Sequence, residues 1–405
     1  MHFETTKENT MDYILFDDHP IRNQLKPFTF IRPIAEIRCG ILTIREKWEK
    51  VLSSEISFLT EEYLQKNMPQ SSEQKIFISG AVCPNEALLS EIQQLKDGEL
   101  LIANETVLAI KTSTILSYTI DYKQFAKKEF LEKVTVIKKL PDIFLYNGEQ
   151  IKADFQLITK DRKSQQITDE FTRVYVPENV FVEEGASIKA AILNAEQGPI
   201  YIGKNAIIQE GSIVIGPFAA CENSMVAWGS KMRPNTTLGP FCRVGGEVGS
   251  SVFFGYSNKA HDGFLGGSVI GEWCNLGANC NNSNLKNDYT EVKLYNYATN
   301  QLEKTGELFC GLFMGDYTKA GISTMFNTGT VVGVSSNVFG ASFQDKHIPS
   351  FTWGGADTEY VNYRFDKAIQ VINATMARRE KQLTEAEVEI LRYIYSNYES
   401  PQQPV

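Results

Sequence analysis

The sequence predicts three parts in order: an α/β domain over residues 11–170, a parallel β-helix over 171–355 and a helical tail over 356–405. Three observations predict this. Short apolar runs alternate with helical patterns in the first part. From Met314 the chain falls into six-residue units, MGDYTK, AGISTM, FNTGTV, VGVSSN and VFGASF. In the last part Ala368, Ile369, Ile372 and Met376 recur at helical spacing.

In the first part MDYILF (11–16), KIFISG (75–80) and DIFLYN (142–147) read as strands, and helical patterns run over Ala35–Leu52 and Asn85–Leu95. In the repeats the first residue of each unit is apolar or small (Met314, Ala320, Phe326, Val332, Val338). The fifth is small and hydroxylated (Thr318, Thr324, Thr330, Ser336, Ser342). The same period appears upstream at Ile202, Ile208 and Val214, at Met232, Leu238 and Val244, and at Ile270 and Leu276. Neither the period of a strand nor that of a helix makes a six-residue repeat, whereas a β-helix does. Its first residue points inward, its small fifth residue sits where the turn is crowded, and glycine or asparagine supplies the corner. A β-sandwich would alternate instead. The period breaks between Asn281 and Leu312. Insertions in solenoids form loops on one face, often the binding face, and EVKLYNYATNQLEKTG within this one reads as a β-hairpin. In the tail, LTEAEVEIL offers Thr384 as a helix N-cap. The tail is expected to pack against the prism or a neighbouring subunit.

A chain of 405 residues exceeds one ordinary core. Its 42% hydrophobic and 22% charged content are those of a soluble globular protein. A net charge of −9 with no basic block argues against nucleic acid as a partner. No apolar run reaches the length of a membrane span, so no membrane partner is expected, and residues 1–12 do not resemble a signal peptide. The seven cysteines show no CxxC spacing and read as reduced thiols of a cytoplasmic protein.

The stretch TLGPFCRVGGEVGSSVFFGYSNKAHDGFLGGSVIGEWCNLGANCNNSNLKN resembles the acetyltransferase half of the bifunctional N-acetylglucosamine-1-phosphate uridyltransferase and glucosamine-1-phosphate acetyltransferase family. The whole chain is similar to the alternate, Bacteroidetes-type form of that family, most strongly from about Val180 to Gly355. The resemblance implies that the β-helix is left-handed, that the first domain is nucleotidyltransferase-like, and that a homotrimer forms with its acetyl-transfer site between prisms. It implies His261 as the catalytic base, with Glu247 fourteen positions earlier as its partner. Arg233, in RPNTTL, would bind the sugar phosphate. Asn275, in CNLGAN, would contact the sugar, and Phe264 stands where the family has a tyrosine. Lys259 could replace the charge of a family lysine that is Gly249 here. Asn284 and the coil GDYTKAGI, with Gly315, Thr318 and Ala320, would bind acetyl-CoA.

These residue types suit the chemistry. A sugar amine must be neutral to attack a thioester, and a histidine with a reference pKa of about 6.5 can take its proton. A carboxylate would orient the ring, and an arginine can clamp a phosphate bidentately. Read without the resemblance, His261 is equally a turn histidine hydrogen-bonded to backbone.

The first domain departs from nucleotidyltransferase patterns. The strand YILF leads into DDHPIRNQLKPFTFIRP, which has no glycine where those enzymes carry a phosphate-cradling loop. LKPFTFIRP is similar to the segment that follows that loop. Arg22, Lys26 and Arg32 could bind the phosphates of UTP, and Asp17 or Asp18 could hold Mg²⁺. The alternative is a loop of ordinary surface charges with an Asx turn at Asp17–Asp18. Two other functional classes are open: a non-catalytic trimeric scaffold that binds a sugar nucleotide, and a metal enzyme of the γ-carbonic-anhydrase type. The latter needs three histidines on zinc, and only His261 and His347 lie in or near the repeats.

Overall fold

The computed structural model describes residues 12–65, 75–114 and 116–398. The chain divides into two compact units. The first comprises the described residues up to Arg22, with Pro33–Glu36 and Ile44–Ile137; the second comprises Asn23–Arg32, Ile37–Thr43 and everything from Lys138.

The first unit holds strands β1 (Asp12–Phe16), β2 (Ser57–Leu59), β3 (Lys75–Ser79), β4 (Glu99–Ala103), β5 (Thr106–Thr112) and β6 (Ala126–Glu129). They form one sheet in the order β2-β1-β3-β5-β4-β6. β1 lies parallel to β2 and β3, while β3–β5 and β4–β5 are antiparallel. Helix α1 spans His19–Gln24. The helix expected over Ala35–Leu52 starts later, as α2 (Ile44–Leu52), after a 3₁₀ turn at Ile34–Glu36. Trp48 on α2 is fully buried and donates to the Val82 carbonyl at 2.7 Å. Helix α3 is Glu62–Gln65, and α4 is Glu86–Gln93, capped by Asn85 accepting from the Leu88 N–H at 2.8 Å.

The second unit begins its regular structure with two helices where DIFLYN reads as a strand. They are α5 (Leu140–Leu145) and α6 (Asn147–Thr159). Pro141 sits in the first turn, and the Asp142 carboxylate accepts from the N–H groups of Lys138 (2.8 Å) and Lys139 (3.0 Å). A proline in the first turn and a carboxylate on orphan N–H groups favour a helix start, and they override the apolar run.

From Arg173 to Gly354 the chain winds as a parallel β-solenoid with three faces. The first face carries strands such as Lys231–Met232, Glu247–Gly249 and Phe264–Gly266; the second, Thr236–Leu238 and Val252–Gly255; the third, Arg243–Val244, Asn258–Lys259 and Asn275–Leu276. The residues picked out by the six-residue period all point inward: Ile202, Ile208, Val214, Met232, Leu238, Val244, Ile270, Leu276, Met314, Ala320, Phe326, Val332 and Val338 join one continuous core. Each buried aliphatic of this size stabilises the fold by roughly 1.5–3 kcal/mol. Thr318, Thr324, Thr330 and Ser336 are buried at the corners as expected. Ser342 departs from the pattern and is exposed, because the coil opens at Gly340 (φ 125°) and resumes only at His347–Ile348. Gln344 ties that detour down, donating to the Phe339 carbonyl at 3.2 Å and accepting from the Ala356 N–H at 3.1 Å.

One edge of the prism has a signature that the period does not carry. The corner residues Asn205, Asn223, Phe241, Tyr256 and Trp273 all have positive φ, between 54° and 60°. Asparagine tolerates this conformation and bulky aromatics do not. Stacking offsets the strain: the Phe241 ring lies 4.9 Å from Tyr256, and Tyr256 lies 4.3 Å from Trp273, with their planes nearly parallel. The insertion contains the expected hairpin, Lys293–Asn296 with Gln301–Lys304. An antiparallel strand at Val361–Asn362 ends the third face. The tail follows as α7 (Phe365–Ala377) and α8 (Glu385–Asn397), the latter with Thr384 and Glu387 in a capping box.

Candidate functional site

A cavity of about 500 Å³ opens on the second unit where the first face meets the insertion. Its floor is the first-face strands. Arg233, Gly249 and Gly266 follow one another in successive coils there, with Val248 paired to Leu265 and Gly249 to Gly266. The two glycines keep the floor open. A Cβ on Gly249 would lie 2.9 Å from the Arg233 Cβ, and one on Gly266 would lie 2.6 Å from the Phe264 ring and 2.7 Å from the Asn284 amide. Phe264 and Asn284 line one side, and Pro234, Asn235 and Ser250 another. Phe144 and Leu145 of α5, with Glu307 and Phe309 of the insertion, complete the wall.

Arg233 and Glu247 form an ion pair at 3.3 Å, their side chains 57% and 37% exposed. A pair this wet is worth about 0–1 kcal/mol and is easily exchanged for a better anion. Glu247 pairs in register with Phe264, and its N–H donates to the Gly263 carbonyl at 3.2 Å. The Phe264 N–H in turn donates to the Asn281 side chain at 2.7 Å.

His261 lies outside the cavity lining. It is exposed on the corner that precedes Phe264. The same edge of the prism presents Trp228 (73% exposed) and Ile322 (76%), with Ile207 and Ile213 partly exposed beside it. Asn275 is half-buried on the third face, in register between Asn258 and Lys319.

The coil 315–322, expected to bind acetyl-CoA, points Thr318 and Ala320 inward and not towards a surface ligand. Thr318 is buried and donates to the Gly333 carbonyl at 2.8 Å, Ala320 belongs to the core, and Gly315 packs on Gly333. Lys259 is 1% exposed and donates to the carbonyls of Gly245 (3.1 Å) and His261 (2.9 Å). Its ammonium therefore faces the prism interior, and the phosphate role that replaced a family lysine is not open to it in this arrangement.

In the first unit Arg22 is fully buried against Asp17 at 2.7 Å, with Tyr63 at 3.1 Å and Glu61 at 3.5 Å. Asp17 also accepts from Thr60 (2.5 Å) and from the Ile34 N–H (2.8 Å). Burial pushes its carboxyl up, and Arg22, Thr60 and Ile34 pull it back. Asp18 accepts from the Ile21 N–H and from Tyr122 at 3.1 Å. A divalent cation needs several free oxygens. Asp17 has spent its own on protein donors, and no cluster of three or more metal-ligating side chains occurs among the described residues, so this pair does not fit Mg²⁺.

Lys26 and Arg32 fold with the second unit. Lys26 lies 4.5 Å from the Tyr398 ring centroid, and Arg32 makes a two-pronged bond to Asp316 at 2.6 and 3.1 Å, with Glu272 at 3.4 Å. His347 is enclosed by the hairpin, stacked on Tyr295 at 3.5 Å with Tyr297 at 3.3 Å.

The sugar nucleotidyl transferase family model matches residues 13–163. The match is confined to the N-terminal part of the chain. Over 124 residues the chain is 34% identical to the bifunctional protein GlmU of Methanocaldococcus jannaschii, covering 30% of each chain. Over 147 residues it is 34% identical to GlmU of Methanococcus maripaludis, covering 36% of this chain and 35% of the relative. The matched stretches thus span about a third of these relatives' length. Among solved structures, the UDP-N-acetylglucosamine acyltransferase from Campylobacter jejuni aligns with a TM-score of 0.33 at 13% identity, over 58% of this chain and 98% of that one. No helix among the described residues is long and apolar enough to cross a membrane.

Of the residues picked out from the sequence, the fold brings Arg233, Glu247, Phe264 and Asn284 to one face, and sets His261 and Asn275 apart from the cavity lining. Sequence reasoning missed Phe144 and Leu145, because it read their segment as a strand; Pro141 followed by Asp142 was the available signal. It also missed Glu307 and Phe309, which lie in the off-period insertion where no periodicity assigns a direction.

Proposed function

We propose that this protein is a homotrimeric enzyme of amino-sugar nucleotide synthesis that transfers the acetyl group of acetyl-CoA to the amine of glucosamine 1-phosphate. The observation that carries this reading is the cavity in which Arg233, Phe264 and Asn284 converge, with the Arg233 guanidinium paired to the partly exposed Glu247 carboxylate. Arg233 exchanges Glu247 for the sugar phosphate. Phe264 covers an apolar face of the sugar, and Asn284 offers an amide to a hydroxyl or to the acetyl carbonyl. Residues Gly315, Thr318 and Ala320 contribute backbone to the acetyl-CoA groove, since Thr318 and Ala320 are buried. Asn275 contacts the sugar from a neighbouring prism.

In the reaction the amine nitrogen bonds to the thioester carbonyl carbon and the C–S bond breaks. Coenzyme A leaves as thiolate, and the proton of the amine passes to the His261 ring. His261 stands on an exposed edge that also presents Trp228 and Ile322. Packing that edge against the cavity of a second copy would bring base and substrate together. Once the phosphate takes Arg233, Glu247 is free to hold the imidazolium. The seven cysteines, all buried, suit the reducing cytoplasm.

The family of residues 13–163 supports a second activity, uridylyl transfer from UTP to the sugar phosphate. A nucleotide that used Arg22, Lys26 and Arg32 would have to displace Asp17, the Tyr398 ring and Asp316 in turn. That commitment favours a second reading, in which this domain binds a sugar nucleotide without turnover. UTP with Mg²⁺ raising the melting temperature, and pyrophosphate release in the presence of sugar phosphate, support the active form; a thermal shift without pyrophosphate release supports the binding form.

The deciding experiment is acetyl-CoA consumption with glucosamine 1-phosphate. His261→Ala should lower kcat by about 10²–10⁴-fold with the fold retained. Arg233→Ala should raise KM for the sugar phosphate, because a phosphate clamp binds ground and transition states alike. Equal rates for wild type and His261→Ala would return His261 to an ordinary corner residue.

A further inference from the structure

The mechanism above leaves unused one buried ionisable group beside the site. Lys259 stands in the inward column of the third face, in register with Val244 of the preceding coil and with Ile208 and Val226 above it. A cation in an aliphatic slot costs free energy unless its protons find partners. Among the described residues Lys259 makes no ion pair, and its partners are two carbonyls in successive corners, Gly245 at 3.1 Å and His261 at 2.9 Å. The Cys280 thiol and Asp262 are the titratable groups whose charge acts on it. One of these corners carries His261, and the other lies two residues before Glu247 in the chain.

We propose that Lys259 is a positioning residue of the acetyl-transfer site, whose buried ammonium ties the His261 carbonyl to the Gly245 carbonyl of the preceding coil and so fixes the corner that presents the imidazole to the neighbouring copy. This rests on the reading of His261 as the base. An aliphatic residue in the slot would fill the column as Val244 and Val226 do, so core packing alone gives no reason for an ammonium there. A corner released from its tie leaves the imidazole free to miss the amine, and a misplacement of about 1 Å costs up to about 10²-fold in rate.

The test compares Lys259→Met with Lys259→Gln in the full-length protein, each checked for oligomeric state and melting temperature. Methionine fills the slot without donors, whereas glutamine keeps two N–H donors on a side chain one bond shorter. The expected result is a kcat about 10–100-fold lower for Lys259→Met, KM for glucosamine 1-phosphate and acetyl-CoA within about twofold, and partial recovery of kcat in Lys259→Gln. A purely structural lysine would give the reverse order, with methionine at least as active as glutamine. If wild type is active and His261-dependent but Lys259→Met keeps its kcat, the positioning role is overturned and the function stands. If wild type and His261→Ala turn over equally, the functional reading falls and takes this role with it. Failure of both Lys259 variants to fold would assign the residue to stability alone and overturn the proposal.

Discussion

Lys259 and Lys319 share an unusual situation, since each places an ammonium in the solenoid wall, and burial lowers both to about 8. An unfolded lysine titrates near about 10.4. Between those values the unfolded chain holds a proton that the folded chain has released, so stability rises with pH across this window. Lys259 alone accounts for up to about 3 kcal/mol of that rise. Lys259→Met should therefore melt higher than wild type at pH 7, and its melting temperature should climb less between pH 7 and 9.5. Calorimetry at the two pH values checks this independently of any activity. An unchanged slope would mean that the wild-type ammonium is solvated by water through an opening in the wall.

At the scale of elements, two anchors hold irregular segments to regular ones. The insertion hairpin closes over His347, whose ring is stacked on Tyr295 and pushed down to about 4 by burial. The sign is the same as for the lysines, in a more acid window. Below the ordinary histidine value of about 6.5 the unfolded chain takes a proton that the folded one refuses, so stability is lost as pH falls from 6.5 towards 4. By pH 5 the loss is about 2 kcal/mol. His347→Phe should keep the stack and flatten this acid limb, as thermal melts at pH 7 and 5 would reveal. The second anchor is the buried Arg32–Asp316 pair, which binds the LKPFTFIRP segment to a solenoid coil. Asp316→Ala leaves a guanidinium short of its main partner and should cost about 3 kcal/mol, visible as a lower urea midpoint, with Asp316→Asn losing less.

For the whole molecule, the expectation is a trimer whose site lies between copies. The prism edge with Trp228, Ile322, Ile207 and Ile213 carries His261 and leaves large apolar side chains uncovered. Trp228→Glu should break self-association in light scattering and abolish acetyl transfer, while the thermal response to UTP survives. A stable wild-type monomer at micromolar concentration would remove the intersubunit site. A charged edge that still trimerises would place the contact on another face.

The sequence by itself determined the solenoid, because a six-residue period with an inward apolar position has few other solutions, and each position it marked from Ile202 to Val338 is in the core. It determined the hairpin and the tail cap for the same local reason, since strand alternation and a Thr–Glu pair act within a few residues. Only the tertiary structure decided that DIFLYN is helical, since the start signal at Pro141–Asp142 competed with an equally apolar run. It also decided which way the charged residues point. Lys259 reads as a surface cation until its neighbours in the stack, Val244 and Leu276, show that its position is an inward one. Arg32 and Asp316 are 284 residues apart, and no local pattern announces their bond. Charge is written in composition, but whether a charge meets solvent, a ligand or an ion partner depends on packing between segments distant in the chain. That is why the cavity floor was legible in the repeats, while its wall of α5 and insertion residues was not.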